Sequence, residues 1–426
     1  MPCSTMLVVR RSPMRWILVG VSGLVVALGV ARLGGAQQQL DRISVDEALQ
    51  LALRQSPTVR AQQAALASTK AGETTAALRP NPSMNFLAEQ FKPGASQQDT
   101  QYTVNVGQPL ELGGKRGRRI DSARAATQVA SYQLEDIRRQ ITLQVRSAFA
   151  GALIAREQLA LAQENVKTLD DTERIQRLRA EKGDISQLEL LRIQVQRFTF
   201  ERDAADARQA LSAAKIALRT AAGAEHIAED FDVVGELGFK EVSLDKAVLM
   251  RRALDNRPDL RAAEADRARA RADHRLARAN AWWDITPQIE YQRIGPDNTI
   301  GFGFSLPIRI FDRNQGEIAR TQAEISRVDA VREATALQVL AALETDRQIA
   351  LTQRERVVSL RDVYLPKATV ARDTVEFAYR RGGQSLLDFL DAQRSYRETA
   401  LAHLQALGAY LSAVYQLEAD IGGPLD

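Results

Sequence analysis

Two carboxylates three residues apart, Asp388 and Asp391, have the type and spacing that most invite a chemical reading. Residues i and i+3 share one face of a helix. Alone, such a pair near a helix start is a solvated first turn aided by the helix dipole. Repeated by threefold symmetry, it would form two rings of three carboxylates, a constriction that favours cations. The constellations of enzymes are missing. His226, His274 and His403 are the only histidines, none pairs with another at metal-ligand spacing, and a single Cys, Cys3, makes no cluster. Glu225, His226 and Glu229 read as a polar linker rather than a metal site. Gly113-Gly114-Lys115 lacks the spacing and the following Ser/Thr of a phosphate-binding loop, and no nucleophile elbow or metalloprotease helix motif occurs. The sequence predicts no enzyme, no bound metal and no cofactor.

The elements that would position the two acids are long helices. In the stretch 134–169, Leu134, Ile137, Ile141, Val145, Ala148, Ala152 and onward to Leu169 recur every three or four residues, averaging about 3.5, the coiled-coil period. The pattern predicts a helix from about Gly117 to Ala180, roughly 90–100 Å long. No single globular domain can wrap such a rod. Four of its eleven seam residues are Ala, which buries little area per residue, so the helix needs partners along its whole length.

Residues 1–36 carry Arg10, Arg11, Arg15 and Arg32 with no acid, leaving 53 basic and 53 acidic residues in the remainder. The apparent basic character therefore belongs to the N-terminus, and nucleic acid is not an expected partner. The basic start, an apolar run at 16–30 and Gly34-Gly35-Ala36 read as an export signal cleaved near Ala36, too short for an anchor helix. Cys3 would leave with it, so the exported chain would carry neither a disulfide nor a lipid-bearing Cys.

The rest of the chain repeats at an offset of about 199 residues. Ser44-Val45-Asp46-Glu47-Ala48 recurs as Ser243-Leu244-Asp245-Lys246-Ala247, each read as a capping box opening a helix, the Lys copy being the poorer cap. Pro57 recurs as Pro258, Gln108-Pro109-Leu110 as Leu306-Pro307-Ile308, Gly183 as Gly382, and Gly223 as Gly422. The expected division is a signal at 1–36, a first repeat at 37–223, a linker at 224–242 and a second repeat at 243–426. Each repeat reads as helix, strand pair, very long helix, turn, long helix, with hairpins at 83–109 and 287–307 and long helices at 117–222 and 316–421. The stretch 299–306 alternates large apolar with small residues, and strands of about nine residues suit a tilted membrane span. Trp282 and Trp283 stand just before the third strand, where an interfacial aromatic belt would lie. In lipid an open sheet leaves unpaired backbone groups, so four strands per chain must close with other copies. Two copies give eight strands and a filled interior, whereas three give twelve and room for a lumen.

The segment Tyr379-Arg380-Arg381-Gly382-Gly383-Gln384-Ser385-Leu386-Leu387-Asp388-Phe389-Leu390-Asp391 and its first-half counterpart Ala180-Glu181-Lys182-Gly183-Asp184-Ile185-Ser186-Gln187-Leu188-Glu189 resemble the TolC-type outer-membrane efflux family. The resemblance covers essentially the whole exported chain. Gln108-Pro109-Leu110-Glu111-Leu112-Gly113-Gly114-Lys115-Arg116 and Leu306-Pro307-Ile308-Arg309-Ile310-Phe311-Asp312 look most like its heavy-metal (cobalt-zinc-cadmium) branch.

The resemblance implies a mainly α fold with a small transmembrane β part. Three chains would form a twelve-strand outer-membrane β-barrel, four strands each, continued by a long α-helical coiled-coil tunnel in the periplasm. It further implies a homotrimer seated in outer-membrane lipid and docked by a periplasmic adaptor (membrane fusion) protein to an inner-membrane RND pump, serving as a passive duct, with heavy-metal cations as the leading cargo. The turns at Gly183, Asp184, Gly382 and Gly383 match the family's adaptor-docking tip. Asp388 and Asp391 match its constriction aspartates, and Tyr379 and Glu189 match positions whose polar links hold the tip closed. Gln384 stands where the archetype has an Arg. The same duct carrying organic drugs or serving type I protein secretion, and a soluble periplasmic coiled-coil scaffold, are the competing expectations.

Overall fold

The computed structural model describes residues 40–90, 100–223 and 227–425; the expected signal, Cys3, the turn at 92–96, Glu225 and His226 lie outside them. The first half runs β1 (Leu40–Ile43), α1 (Val45–Gln55), α2 (Pro57–Ala77), β2 (Ser83–Glu89), β3 (Gln101–Gly107), α3 (Lys115–Glu181) and α4 (Gln187–Ala222). After β4 (Ile227–Val233), the second half runs α5 (Lys246–Asn256), α6 (Pro258–Ala279), β5 (Thr286–Ile294), β6 (Asp297–Ser305), α7 (Gln315–Ser359), α8 (Leu365–Arg380) and α9 (Leu386–Asp420). The two halves follow one plan, with 11-residue α1 and α5, and α4 and α9 of 36 and 35 residues.

The 67 residues of α3 span about 100 Å. Along the apolar seam Leu134, Ile141, Val145, Ala152, Ala155 and Leu169 are buried. Its first part packs with α1, α2, α4, β1 and β4 around Phe149 and Phe231, while α5, α7 and α9 close a second core around Tyr410, Leu343 and Leu417. The Tyr410 hydroxyl, carried into that core, donates to Lys240 O at 2.8 Å.

Two local expectations change. Ser44 caps α1 with the full reciprocal box to Glu47, but the cap of α5 is Asp245, whose side chain accepts from Val248 N, not Ser243. With Lys246 in place of an acid no box can close, and the carboxylate two residues on is the better acceptor. The second long helix is also interrupted. A π turn, Leu360–Tyr364, separates α7 from α8 just ahead of Pro366, which has no N–H for the carbonyl one turn back.

Strands β2, β3, β5 and β6 form one antiparallel sheet in that order. One row across it reads Met84, Val106, Ile289, Phe302, and the next reads Asn85, Asn105, Glu290, Gly301. The period of two thus sorts the sheet into an apolar and a polar face. The apolar row is open to its surroundings, from 43% exposed at Val106 to 83% at Phe302. On the polar face Asn105 Nδ2 donates to Gln288 Oε1 and Glu290 Oε2 at 3.3 and 3.4 Å. Among the described residues, β2 and β6 each pair on one side only.

Below the sheet, the exit from β3 is tied to the approach to β5. Leu110 and Ile285 exchange backbone hydrogen bonds of 2.8 and 3.2 Å, Leu112 N donates to Asp284 Oδ1 at 3.0 Å, and buried Lys115 reaches Asp284 at 2.7 Å. Gly113, at φ +69°, lies against Trp282, whose Cβ and Cγ would be 2.9 Å from any added Cβ. The helix begins on Gly114, also left-handed at φ +70°.

Where α9 ends, Asp420 is 2% exposed and accepts from Arg257 Nη1 at 3.0 Å, while Arg257 grips Asp259 with Nε and Nη2. Asp346, Arg139 and Asp136 surround the same joint. Burial, followed by the hydrogen bond with the Asp346 carboxyl, pushes the Asp420 carboxyl up to about 7. A folded pKa above the unfolded one gives stability that is complete below the ordinary carboxylate range and is lost as pH rises towards 7. The melting temperature of the detergent-solubilised protein is therefore expected to fall between about pH 4 and pH 7. Asp420→Asn should reduce that fall and leave the variant the more stable protein at pH 8.

Candidate functional site at the paired helix turns

The turns that join α3 to α4 and α8 to α9 are built alike. Gly183 N donates to Ala180 O at 3.1 Å and Asp184 N to Arg179 O at 2.9 Å; Gly382 N donates to Tyr379 O at 3.0 Å and Gly383 N to Ala378 O at 2.9 Å. Both are Schellman closures, which need a left-handed residue just past the helix. Gly183 and Gly382 supply it at φ +81° and +79°. Three residues later a Ser starts the returning helix, Ser186 accepting from Glu189 N and Ser385 from Asp388 N.

A small apolar cluster of Leu169, Ile193, Phe200, Tyr379, Leu386 and Phe389 holds the two turns together. Phe389 is 1% exposed, and its ring stacks on that of Tyr379 with centroids 4.9 Å apart and planes 14° from parallel. The Tyr379 phenol is pushed up to about 12, chiefly by burial and then by the nearby Glu189 carboxylate, with Arg179 and a hydrogen bond to Gln176 acting the other way. It is therefore a neutral hydrogen-bonding group at physiological pH. Arg179 also approaches Gly382, 3.8 Å from where a Cβ would stand. One turn along, Glu173 is buried and accepts from Arg177, Arg197 and Gln194 at 2.7, 3.0 and 3.3 Å. These bonds outweigh the cost of burial and hold its carboxyl below the usual range. Arg397 on α9 joins Asp203 on α4 at 2.9 Å and lies over the Phe200 ring.

Each residue singled out in the sequence has a definite place here. Tyr379 and Glu189 come together across the two turns. Gln384, Gly183, Asp184, Gly382 and Gly383 are exposed on the turns themselves. Asp388 and Asp391 are exposed on one face of the first turns of α9. Asp388 closes a capping box, its Oδ2 accepting from Ser385 N at 3.2 Å and Ser385 Oγ at 2.7 Å. Asp391 pairs with Arg394 at 3.1 Å. Trp282 and Trp283, 60% and 47% exposed, stand at the other end of the helices, beside the sheet.

Phe389, Glu173 and the two Ser caps complete the site beyond the residues that the sequence singles out. Ser186-Gln187-Leu188-Glu189 and Ser385-Leu386-Leu387-Asp388 carry the capping signature that marks both helix starts. Elsewhere His274 Nδ1 meets Thr321 Oγ1 at 3.0 Å, and the described residues hold no group of three or more His, Cys, Asp or Glu side chains placed to bind a metal. No helix among them is long and apolar enough to cross a membrane.

Comparison with known proteins adds the family to this geometry. The cobalt-zinc-cadmium resistance protein CzcC of Cupriavidus metallidurans is 27% identical over 89% of this chain and 90% of its own length. The nickel-cobalt-cadmium resistance protein NccC of Alcaligenes xylosoxydans xylosoxydans is 27% identical over 72% of this chain and 71% of its own. The fold matches the crystal structure of CusC, described as forming a transmembrane channel, with a TM-score of 0.73 at 16% identity over 93% of this chain and 96% of that one. The Outer membrane efflux protein family matches at residues 48–224 and again at 249–423, once on each half of the plan. Two like halves, paired glycine turns and a two-faced sheet on very long helices are thus the architecture of a channel rather than an enzyme, and this chain belongs to the Outer membrane efflux protein family.

Proposed function

We propose that this chain is the outer-membrane exit duct of a tripartite efflux system, working as a homotrimer with heavy-metal cations as its cargo. The observation that carries the reading is the sheet: an exposed apolar face, a polar face and two half-paired edges on one four-stranded unit. Water does not favour that arrangement, whereas lipid on one face, a lumen on the other and a neighbouring copy at each edge satisfy all three features. Closure by three copies makes a twelve-strand barrel, and α3, α4, α7, α8 and α9 continue it as a periplasmic tunnel. Trp282 and Trp283 then lie at the membrane interface. The far end becomes the gate, held by Tyr379, Glu189 and Gln384, with Asp388 and Asp391 as carboxylate rings at the constriction. The turns at Gly183, Asp184, Gly382 and Gly383 meet the periplasmic adaptor, which couples the duct to an inner-membrane RND pump. The metal cargo is supported by the likeness to CzcC and NccC.

Planar-bilayer conductance of the detergent-purified protein, with the mass of its oligomer, tests this reading. Stable trimers with a cation-selective conductance are expected; a water-soluble species without conductance overturns it. A sharper variant is Phe302→Arg, in the middle of the apolar face. A charge near the bilayer midplane costs about 2–4 kcal/mol per chain, so the variant should disappear from the outer-membrane fraction. Normal membrane yield of Phe302→Arg would place that face away from lipid.

A further inference from the structure

Resting on the homotrimer proposed above, we infer that the contact between neighbouring copies repeats, residue for residue, the β3–β5 register found within one chain. The chain contains its own template. Aligning Pro109 with Pro307 superposes the exit from β3 on the exit from β6, and aligning Pro287 with Pro82 superposes the approach to β5 on the approach to β2. Both alignments keep apolar residues on the apolar face, since Val106 falls on Phe304 and Ile289 on Met84. Within the chain Gly107, Val106, Asn105 and Val104 face Gln288, Ile289, Glu290 and Tyr291. Carried over to the two free edges, this register sets Ser305, Phe304, Gly303 and Phe302 opposite Ser83, Met84, Asn85 and Phe86 of a second copy.

Three features of the free edges agree with that register. Phe302 meets Phe86 and Phe304 meets Met84 on the face where all four side chains are exposed in the single chain. Gly301 falls opposite Leu87, an apolar side chain 52% exposed on the polar face, and leaves it room. Gly303 has no heavy atom within 4 Å of an added Cβ, so the space opposite Asn85 is open in the single chain.

Cysteine pairs in the full-length protein test the register. Asn85 and Gly303 lie on opposite edges of one sheet with two strands between them, about 14 Å apart, so a disulfide between them must join two copies. Directly opposed residues bring their Cβ atoms to about 4.5–5.5 Å, whereas a slip of two residues separates them by about 7–8 Å, beyond disulfide reach. Asn85→Cys with Gly303→Cys, treated with a mild oxidant, is expected to give a covalent ladder up to the trimer on non-reducing gels, and Asn85→Cys with Gly301→Cys is expected to give little. A conducting trimer that cross-links through Gly301→Cys, or through neither pair, overturns the register and leaves the duct standing; the absence of any trimer or conductance overturns the duct itself.

Discussion

Phe389→Ala is expected to destabilise the paired turns by about 3–5 kcal/mol, the usual cost of deleting a fully buried aromatic side chain. The ring is 1% exposed and is shared by α4, α8 and α9 through Ile193, Phe200, Tyr379 and Leu386, so its loss opens a cavity that no single helix can collapse to fill. Tyr379 loses its stacking partner at 4.9 Å. Its phenol is then free to leave the place where Gln176, Arg179 and Glu189 converge on it. The sheet and the core around Tyr410 share no residue with this cluster, so the melting curve should split, with an early loss of helical signal ahead of the main transition. In bilayers the same variant should open more often than wild type. A single unshifted transition with wild-type gating would mean that the turns are held by their ion pairs, Arg397 with Asp203 and Arg197 with Glu173, rather than by the aromatic stack.

The parts legible in the sequence are those governed by local periodicity. Apolar residues every 3.5 positions lead to a helix between about 117 and 180, and α3 occupies Lys115–Glu181. Alternation at 299–306 falls on β6, which ends one residue earlier, at Ser305. Gly183 and Gly382 end helices because only a left-handed residue completes those closures. Less legible are features decided by a competing acceptor or a missing donor. Asp245 displaces Ser243 as the cap, and Pro366 forces a π turn into a helix whose apolar spacing continues on both sides. The joint of Lys115 with Asp284 depends on residues far apart in the chain, and no spacing rule links them. Buried Glu173 was hidden for the same reason, since its partners Arg197 and Gln194 come from the returning helix.

Asp388→Asn with Asp391→Asn is expected to abolish most of the preference for cations while leaving the turn folded. Alanine would confuse the two effects, because Asp388 is also the capping-box acceptor for Ser385 N and Oγ. Asparagine keeps an oxygen acceptor at that position and removes only the charge. A carboxylate about 6 Å from a passing cation in water-like surroundings attracts it by about one RT. Salt at physiological strength, with a Debye length of about 8 Å, roughly halves that attraction. In the proposed trimer Arg394 offsets the Asp391 ring, so a net three carboxylates would supply about 1.5 RT, roughly a fivefold enrichment of cations at the constriction. Removal of the Asp391 charge acts twice, since Arg394 also loses its bond of 3.1 Å and keeps only the longer contact of 3.9 Å with Glu398. The cation-to-anion permeability ratio at low salt should therefore drop by about an order of magnitude and converge on the wild-type value as salt rises. An unchanged ratio at low salt would leave Asp388 as a helix cap and Asp391 as the partner of Arg394, with selectivity set elsewhere along the polar face that carries Glu290.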